Sequence, residues 1–256
     1  MKRYMLVFPV AVAASLAQWG CCAADSEVAD AGRHRSSDAP AEAGVVSDGH
    51  AIDPVGPGAA TDDVSEAVSL LDDELTRWRP LVFGADGEIS VEDGVLHMDM
   101  GGPLTGVVYS GDVPELLGES LENYEITLEA QRIQGNDFFV GLTFPVGTEG
   151  HVTLIMGGWG GGLVGLSSLD HADASMNPTT KLMQFEPDRW YSVRVAVTTD
   201  TIQVWLDGDE VIHVNRADHE LYSLRGEVMD TAPLGMCCFQ THAAYRDMRV
   251  KRLSSQ

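Results

Sequence analysis

The last third of the chain alternates apolar and polar residues with the two-residue period of a β-strand. Three such runs, at residues 190–198, 201–207 and 209–214, are separated by the turn residues Thr199-Asp200 and Asp207-Gly208. Successive side chains of a strand point to opposite faces, so each run has one apolar and one polar face. The apolar face comprises Tyr191, Val193, Val195, Val197, Ile202, Val204 and Leu206. The pattern predicts an antiparallel meander that is buried on one face.

Short strand-like runs, separated by Gly, Asp and Asn, continue through most of the chain. No helical period is present after residue 76, and there is no internal repeat. The other predicted strands are residues 88–92, 95–100, 105–110, 123–133, 138–145, 151–156, 163–168, 181–186, 224–229, 234–241 and 244–253. So many short strands predict an all-β fold, a two-sheet antiparallel sandwich over residues 78–256.

The chain is strongly acidic, with 16 Lys and Arg residues against 39 Asp and Glu residues and a formal net charge of −23. Nucleic acids and anionic membrane surfaces attract proteins of the opposite charge. The composition therefore disfavours both of them as direct partners.

Residues 1–20 have the pattern of a secretory signal peptide. Lys2 and Arg3 precede an apolar stretch that is too short for a membrane-spanning helix. We therefore expect an exported protein of the cell envelope. Cys21 follows directly and is a candidate for lipidation, which would anchor the protein to a membrane. The alternative is ordinary cleavage near Ala23-Ala24, which would leave the protein periplasmic or extracellular.

Two segments are expected between the signal peptide and the sandwich. Residues 21–61 are rich in Ala, Asp, Gly, Ser and Pro and predict a flexible acidic linker. Residues 62–77 predict a short amphipathic helix, capped by Asp62 or Asp63. Its apolar stripe would consist of Val64, Val68, Leu71 and Leu75. Such a helix would lie against one end of the sandwich or dock a partner.

The four cysteines form two adjacent pairs, Cys21-Cys22 and Cys237-Cys238, which is not the spacing of a disulfide framework. Cys237 and Cys238 lie within a predicted strand, so their side chains should face opposite sides of the sheet. We expect one of these two thiols to be buried and the other half-exposed.

Several motifs resemble those of a known family. They are Trp190-Tyr191-x-Val193-x-Val195, Ile202-x-Val204-Trp205-x-Asp207-Gly208, Pro233-Leu234-Gly235, Ala244-Tyr245-Arg246-Asp247-Met248-x-Val250-Lys251, Glu88 to Leu96, and Tyr124 to Arg132 with Gly135-Asn136. The chain resembles the 3-keto-disaccharide hydrolases, also described as 3-keto-glucoside lyases and 3-keto-glucal hydratases. That family belongs to the concanavalin A-like lectin and glucanase superfamily. The resemblance implies a jelly roll over residues 78–253 and a carbohydrate ligand.

The resemblance also implies a reaction and a set of residues for it. A 3-keto group acidifies the C2 proton of a sugar, and a base that removes this proton allows the glycosidic oxygen to leave. Glu129 or His171 would be the base, with Asp137 as a further catalytic candidate. Arg132 and Asn136 would hold the sugar or stabilise the enolate.

The alternative is a glycan-binding or structural module of the envelope without turnover. The family usually has Ser-Gly after its Gly-Asn pair and Arg at the end of the next strand, where this chain has Asp137-Phe138 and Phe144-Pro145. Trp159 lies among five glycines at residues 157–162. An uncovered indole there would stack on a sugar, whereas an inward-facing one would only close a hairpin.

Two further regions carry candidate ligand-binding residues. The loop at residues 169–180 contains Asp170, Asp173 and Asn177, whose oxygens could bind a sugar or Ca²⁺, although Asp and Asn also favour turns. No cofactor and no other metal site is expected. Arg194, Gln203 and Trp205 share the polar face of the meander, which would join Glu129 and Arg132 in a groove if that face is concave. The sequence does not indicate the oligomeric state.

Overall fold

The computed structural model describes residues 66–148 and 150–254, which belong to the compact unit Gly58–Gln256. Two antiparallel sheets pack face to face as a sandwich of the jelly-roll type, which confirms the predicted fold class. The expected signal peptide, linker and lipidation site at Cys21 lie outside the described residues. No helix within the described ranges is long and apolar enough to cross a membrane.

Fifteen strands and two short helices make up the described chain, together with 3₁₀ turns at Arg216–Asp218 and Gly226–Thr231. The strands are β1 (Val68–Ser69), β2 (Trp78–Pro80), β3 (Ile89–Glu92), β4 (Val95–Met98), β5 (Leu104–Tyr109), β6 (Tyr124–Gly135), β7 (Val140–Val146), β8 (Gly150–Gly157), β9 (Leu163–Ser167), β10 (Lys181–Leu182), β11 (Trp190–Val197), β12 (Thr201–Leu206), β13 (Asp209–Asn215), β14 (Gly235–Phe239) and β15 (Thr241–Arg252). The helices are α1 (Val113–Leu117) and α2 (Gly158–Gly161), the second being a single glycine-rich turn.

The strands divide into two sheets. The eight-stranded sheet has the order β13-β12-β11-β6-β15-β4-β3, with β1 paired to β15. The seven-stranded sheet has the order β10-β9-β8-β7-β14-β5-β2. The longest strands, β6 and β15, lie side by side within the eight-stranded sheet and pair over most of their length.

Two buried tyrosines connect the sheets through the core. The hydroxyl of Tyr245, on β15, donates to the carbonyl of Phe139 at 2.6 Å. The hydroxyl of Tyr124, on β6, donates to the carbonyl of Pro145 on β7. Both rings are fully buried, so the core satisfies these hydroxyls internally rather than with solvent. Burial raises the pKa of both phenols well above the ordinary range.

The predicted meander is confirmed. Strands β11, β12 and β13 follow one another in the sheet, and every apolar side chain of the predicted face is buried. The strand predicted at residues 181–186 is shorter, because only Lys181–Leu182 pairs with β9. The strand predicted at residues 224–229 is wrong, since this segment forms the 3₁₀ turn Gly226–Thr231.

Helix α1 was not expected, because its apolar residues are too few to show a period. Asp112 caps it by accepting from the backbone N–H of Glu115 at 2.9 Å, and Pro114 lies in its first turn. Both are favourable at a helix start. The sequence therefore carried a local signal for α1, although not a periodic one.

The helix expected at residues 62–77 does not form over its described part, residues 66–77. Val68 and Ser69 instead pair with β15 as strand β1. The carboxylate of Asp72 accepts from the backbone N–H groups of Glu74 and Thr76, which forms a turn that competes with helix. Leu75 has a positive φ of 54°. Of the expected apolar stripe, Leu71 and Leu75 are partly buried and pack against the core, whereas Val68 is exposed.

Both Cys237 and Cys238 are free and buried, so the expectation of one half-exposed thiol is wrong. Cys238 points into the main core. Cys237 points to the outer face of the seven-stranded sheet, where it packs in a second apolar cluster that includes Phe138 and Ala174. Burial raises the pKa of the Cys237 thiol far above its usual range, and that of Cys238 to about 12.

We predict that stability falls as the pH rises above about 9. The folded chain keeps the two thiols and the phenols of Tyr124 and Tyr245 protonated, whereas the unfolded chain ionises them, so alkali favours unfolding. Each group contributes at most about 1.4 kcal/mol per pH unit. Urea unfolding between pH 7 and 11 should show this loss, and Cys237→Ala should make the slope shallower. A free energy of unfolding that stays constant to pH 11 would contradict it.

Candidate functional site

Strand β6 determines which side of the sandwich its candidate residues face. Its side chains alternate between partly exposed and buried, so Glu125 and Glu129 lie on the outer face of the eight-stranded sheet. Arg132 has the opposite parity and points inward near the end of the strand. Glu129 and Arg132 therefore do not share a groove.

The guanidinium of Arg132 joins two loops. Its Nη1 donates to the carbonyl of Gly161 at 3.1 Å, and its Nη2 donates to the carbonyl of Phe185 at 2.6 Å. It also lies 5.7 Å from the ring centroid of Phe139. Arg132 is only 9% exposed, and its Nε has no hydrogen-bond partner in the described structure.

A cleft of about 490 Å³ opens beside Arg132. It lies where β6 ends, where the β8–β9 connection turns and where the chain approaches β11. Its lining residues are Arg132, Gly135, Asn136, Gly160, Gly161, Gly162, Met183, Gln184, Phe185, Glu186 and Pro187. The cleft thus brings together two of the predicted sugar-binding residues, Arg132 and Asn136, with the glycine-rich turn.

Glycine is required at position 161 for two reasons. Its φ is +104°, and a Cβ there would lie 2.9 Å from Nη1 of Arg132 and 3.2 Å from the carbonyl oxygen of Asn136. Gly160 has a similar φ of +91°, but a Cβ there would meet no atom within 4 Å. Close approach of the turn to Arg132 therefore depends on Gly161.

Trp159 is in the same turn and is 54% exposed, with φ +50°. Of the two alternatives for this residue, the structure shows the uncovered indole. It directly precedes Gly160, which lines the cleft, but Trp159 itself is not a lining residue. The carboxylate of Asp137 accepts from the backbone N–H of Phe138 at 2.8 Å, and Asp137 does not line the cleft.

Glu129 is part of a different cluster on the outer face of the eight-stranded sheet. Its carboxylate is 2.5 Å from Nε of Arg246, whose guanidinium lies 4.2 Å from the ring centroid of Trp190. A second cluster of the same kind contains Glu125, Arg194 and Trp205.

In that second cluster, Arg194 bonds Glu125 at 3.0 Å and lies 3.4 Å from the ring centroid of Trp205. Arg194 thus covers one face of the Trp205 indole. Gln203 bonds to Glu210 on the same surface. This face carries paired charges and covered aromatic rings rather than an open aromatic surface.

The loop after β9 holds its candidate residues by internal hydrogen bonds. Asp170 lies 2.6 Å from Nδ1 of His219 and accepts from the backbone N–H groups of Glu220 and Leu221. The bond to His219 lowers the pKa of Asp170, and the two backbone bonds add to this effect. These three bonds of the Asp170 carboxylate hold residues 219–221 against the loop.

The other oxygens of this loop are engaged in turns. Asp173 accepts from the backbone N–H and the hydroxyl of Ser175, and Oδ1 of the buried Asn177 accepts from the backbone N–H and the hydroxyl of Thr179. His171 is exposed, has a positive φ, and does not line the cleft of Arg132. Among the residues that the structure describes, no group of three or more His, Cys, Asp or Glu could hold a metal ion.

The segment Met183 to Pro187 forms one wall of the cleft and was not recognised as part of a site. It was predicted as a strand, but its backbone turns away after Leu182 and its carbonyl at Phe185 binds Arg132. Pro187-Asp188 was the available sequence signal for a turn at this position.

Comparison with known proteins identifies the family. The sequence matches the 3-keto-alpha-glucoside-1,2-lyase-like domain over residues 66–251, which is more than half of the chain. The chain therefore belongs to this family, and the predicted resemblance is confirmed. No curated protein sequence matches the chain.

Several solved structures are similar at low sequence identity. Carbohydrate binding module CBM66 from Bacillus subtilis is 12% identical, with a TM-score of 0.46 over 69% of this chain and 96% of that chain. Domain 4 of AbnA, a GH43 extracellular arabinanase from Geobacillus stearothermophilus in complex with arabinotriose, is 11% identical, with a TM-score of 0.46 over 76% of this chain and 95% of that chain.

We predict that Gly161→Ala destabilises the domain more than Gly160→Ala does. Both substitutions add a side chain at positive φ, but only the first meets Arg132, whose two hydrogen bonds prevent it from moving aside. The difference should be about 1 kcal/mol or more, as for other overpacked sites. Urea unfolding of the two variants measures it, and equal losses would contradict the contact.

Proposed function

We propose that the cleft beside Arg132 binds a carbohydrate. The observation that carries the proposal is a cleft with Arg132, Asn136 and Gln184 in its wall and an exposed indole, Trp159, one residue before its glycine wall, in a chain of a sugar-processing family. Binding sites for small molecules combine a concave surface with a few polar groups that fix orientation. Arg132, Asn136 and Gln184 supply donors and acceptors for hydroxyl groups, and Trp159 supplies an apolar surface for the C–H face of a sugar ring.

The outer face of the eight-stranded sheet supports this function less well. Trp205 and Trp190 lie under Arg194 and Arg246, at 3.4 and 4.2 Å from guanidinium to ring centroid. A sugar that stacked on the covered face would have to displace an arginine that is also paired with a glutamate.

The two tryptophans provide a matched test. We expect Trp159→Ala to weaken the binding of a polysaccharide at least about tenfold, which is about 1.4 kcal/mol, and Trp205→Ala to leave it nearly unchanged. Affinity gel electrophoresis of the full chain measures the apparent Kd, with laminarin, xylan, arabinan or pectin in the gel as the ligand. The proposal fails if no polysaccharide retards the protein, or if only Trp205→Ala abolishes retardation.

Turnover of 3-keto-glycosides is a second candidate function, and family membership favours it. A base would take the C2 proton, and the C2–H electrons would form an enolate with the 3-keto group. As the ketone re-forms, the enolate electrons would make a C1=C2 double bond and the C1–O bond to the glycosidic oxygen would break. The leaving oxygen then takes a proton. Addition of water across C1=C2 would then give the free 3-keto sugar. Arg132 would stabilise the enolate from within the cleft, and Glu186 is the carboxylate that lines it.

For this second function we predict that Glu186→Gln lowers the rate of 3-keto sugar release at least about 100-fold, the usual contribution of a general base. Glu129→Gln is the matched control, because Glu129 lies on the outer face of the eight-stranded sheet and bonds Arg246. Release followed by chromatography would measure both rates. If Glu129→Gln or His171→Ala lowers the rate instead, the base is Glu129 or His171, as the family resemblance implies.

Export and anchoring at Cys21 form part of the same proposal, since a sugar-binding domain of this kind would act in the cell envelope. The support comes from the signal-like residues 1–20 and the Cys that follows them. Mass spectrometry of the mature N-terminus decides between a lipidated Cys21 and cleavage near Ala23. A mature chain that still begins at Met1 would contradict export.

A further inference from the structure

We infer that the sugar bound in the cleft carries a carboxylate group, as a uronic acid does, with Arg132 as its partner. This inference rests on the proposed carbohydrate-binding function and adds the chemical class of the ligand. It starts from the charge of Arg132, which the protein leaves without a carboxylate partner.

Arg132 is the one charged side chain among the buried residues of the described structure. A guanidinium has five N–H donors. Two of those of Arg132 bond the carbonyls of Gly161 and Phe185, and the Nε–H bonds nothing in the described ranges. No carboxylate of the described chain lies within 4.0 Å of it. The Nε–H is itself buried, so the donors that remain for a ligand at the wall of the cleft are the second N–H of Nη1 and the second N–H of Nη2.

Other arginines of the domain are paired with carboxylates even though water reaches them more easily. Arg246 bonds Glu129, Arg194 bonds Glu125, and Arg216 bonds Glu122 at 2.7 Å. These arginine side chains are 39%, 40% and 16% exposed, respectively. The chain has many more acidic than basic residues, so carboxylates are plentiful, yet none of those described is paired with Arg132.

A buried cation that lacks an anion is costly, and the cost is relieved when a ligand supplies the anion. A carboxylate fits particularly well, because its two oxygens match the planar fork of the guanidinium. Asn136 and Gln184, which also line the cleft, would then hold the neutral hydroxyls of the same sugar.

Glu186 is the opposing charge, since it also lines the cleft. It is exposed, so water solvates its carboxylate and weakens its repulsion of an anionic ligand. Salt screens the repulsion between an anionic ligand and the acidic residues elsewhere on the surface, because the Debye length is about 8 Å at physiological ionic strength. Of the two charged residues that line the cleft, Arg132 is therefore the buried one and Glu186 the exposed one.

The experiment compares uronic acid oligomers with their own carboxyl-reduced forms, which keep the linkage and length but lack the charge. The probes are oligomers of galacturonate, glucuronate-containing glycans and alginate, each bound to the full chain at about 150 mM salt, near physiological ionic strength, and measured by calorimetry. We expect at least one acidic oligomer to bind at least about tenfold tighter than its reduced form, as a single charge-assisted contact would give.

Two variants assign the preference to the cleft. Glu186→Gln should raise the ratio of acidic-oligomer to reduced-oligomer affinity severalfold, because only a charged ligand is repelled by the carboxylate of Glu186. Arg132→Gln should abolish the preference, with circular dichroism showing whether the domain is folded. Since Glu186 is exposed, the Glu186→Gln result stands even where Arg132→Gln does not fold.

The outcomes separate this inference from the function on which it rests. Equal binding of acidic and reduced oligomers, or binding of neutral polysaccharides alone, overturns the carboxylate inference and leaves the sugar-binding proposal standing. A preference that Glu186→Gln does not strengthen also overturns it. Failure of every acidic and neutral glycan to bind overturns both.

Discussion

The strict alternation of strand β6 is the constraint on which the rest of this structure depends. This strand pairs with β11 on one side and β15 on the other, so its side chains set the two faces of the eight-stranded sheet. The side chains of Ile126 and Leu128 point into the core, and those of Glu125 and Glu129 point away from it. The same parity directs Arg132 inward, beyond the last apolar positions, where the sandwich ends. Because the period is two, a residue three positions from Glu129 must face the other way.

The inward direction of Arg132 places a guanidinium at the end of the sandwich, where it forms the wall of the candidate site. In the middle of the sandwich a guanidinium would have no polar partner, but at its end the carbonyls of Gly161 and Phe185 are within reach. These two bonds hold the glycine turn and the segment before β11 against β6, and the space between them is the cleft. The glycine turn comes close because Gly161 has no side chain, and it leaves Trp159 facing outward. The shape of the candidate site therefore follows from backbone geometry as much as from the identity of its polar residues.

The strands could be predicted from the sequence because alternation is a local property that burial reinforces. The faces of β6, β11 and β12 follow from parity alone, and the buried faces agree with that prediction. The helix predicted over residues 66–77 is wrong because the apolar residues there have helical spacing, while the bonds of Asp72 and the pairing of Val68 with Val250 favour another conformation. Pairing between residues so distant in sequence leaves no periodic signal.

The candidate site was only partly visible in the sequence for the same reason. Arg132, Asn136 and the glycine turn were recognised, and the cleft brings them together. Glu129 and His171 do not line this cleft, since the first faces outward from β6 and the second belongs to a loop after β9. The parity of β6 is enough to exclude a groove shared by Glu129 and Arg132. The wall at residues 183–187 depends on its carbonyl contact to Arg132, which no sequence pattern reveals.

The central claim is that ligand binds at the end of the sandwich beside Arg132 and not on the outer face of the eight-stranded sheet. Hydrogen–deuterium exchange of the full chain, with and without a polysaccharide that retards it in the gel, tests this most directly. The account predicts slower exchange at residues 158–162 and 183–187, with exchange at residues 192–205 unchanged. Protection confined to residues 192–205 would contradict it and move the site to the face that carries Arg194 and Trp205.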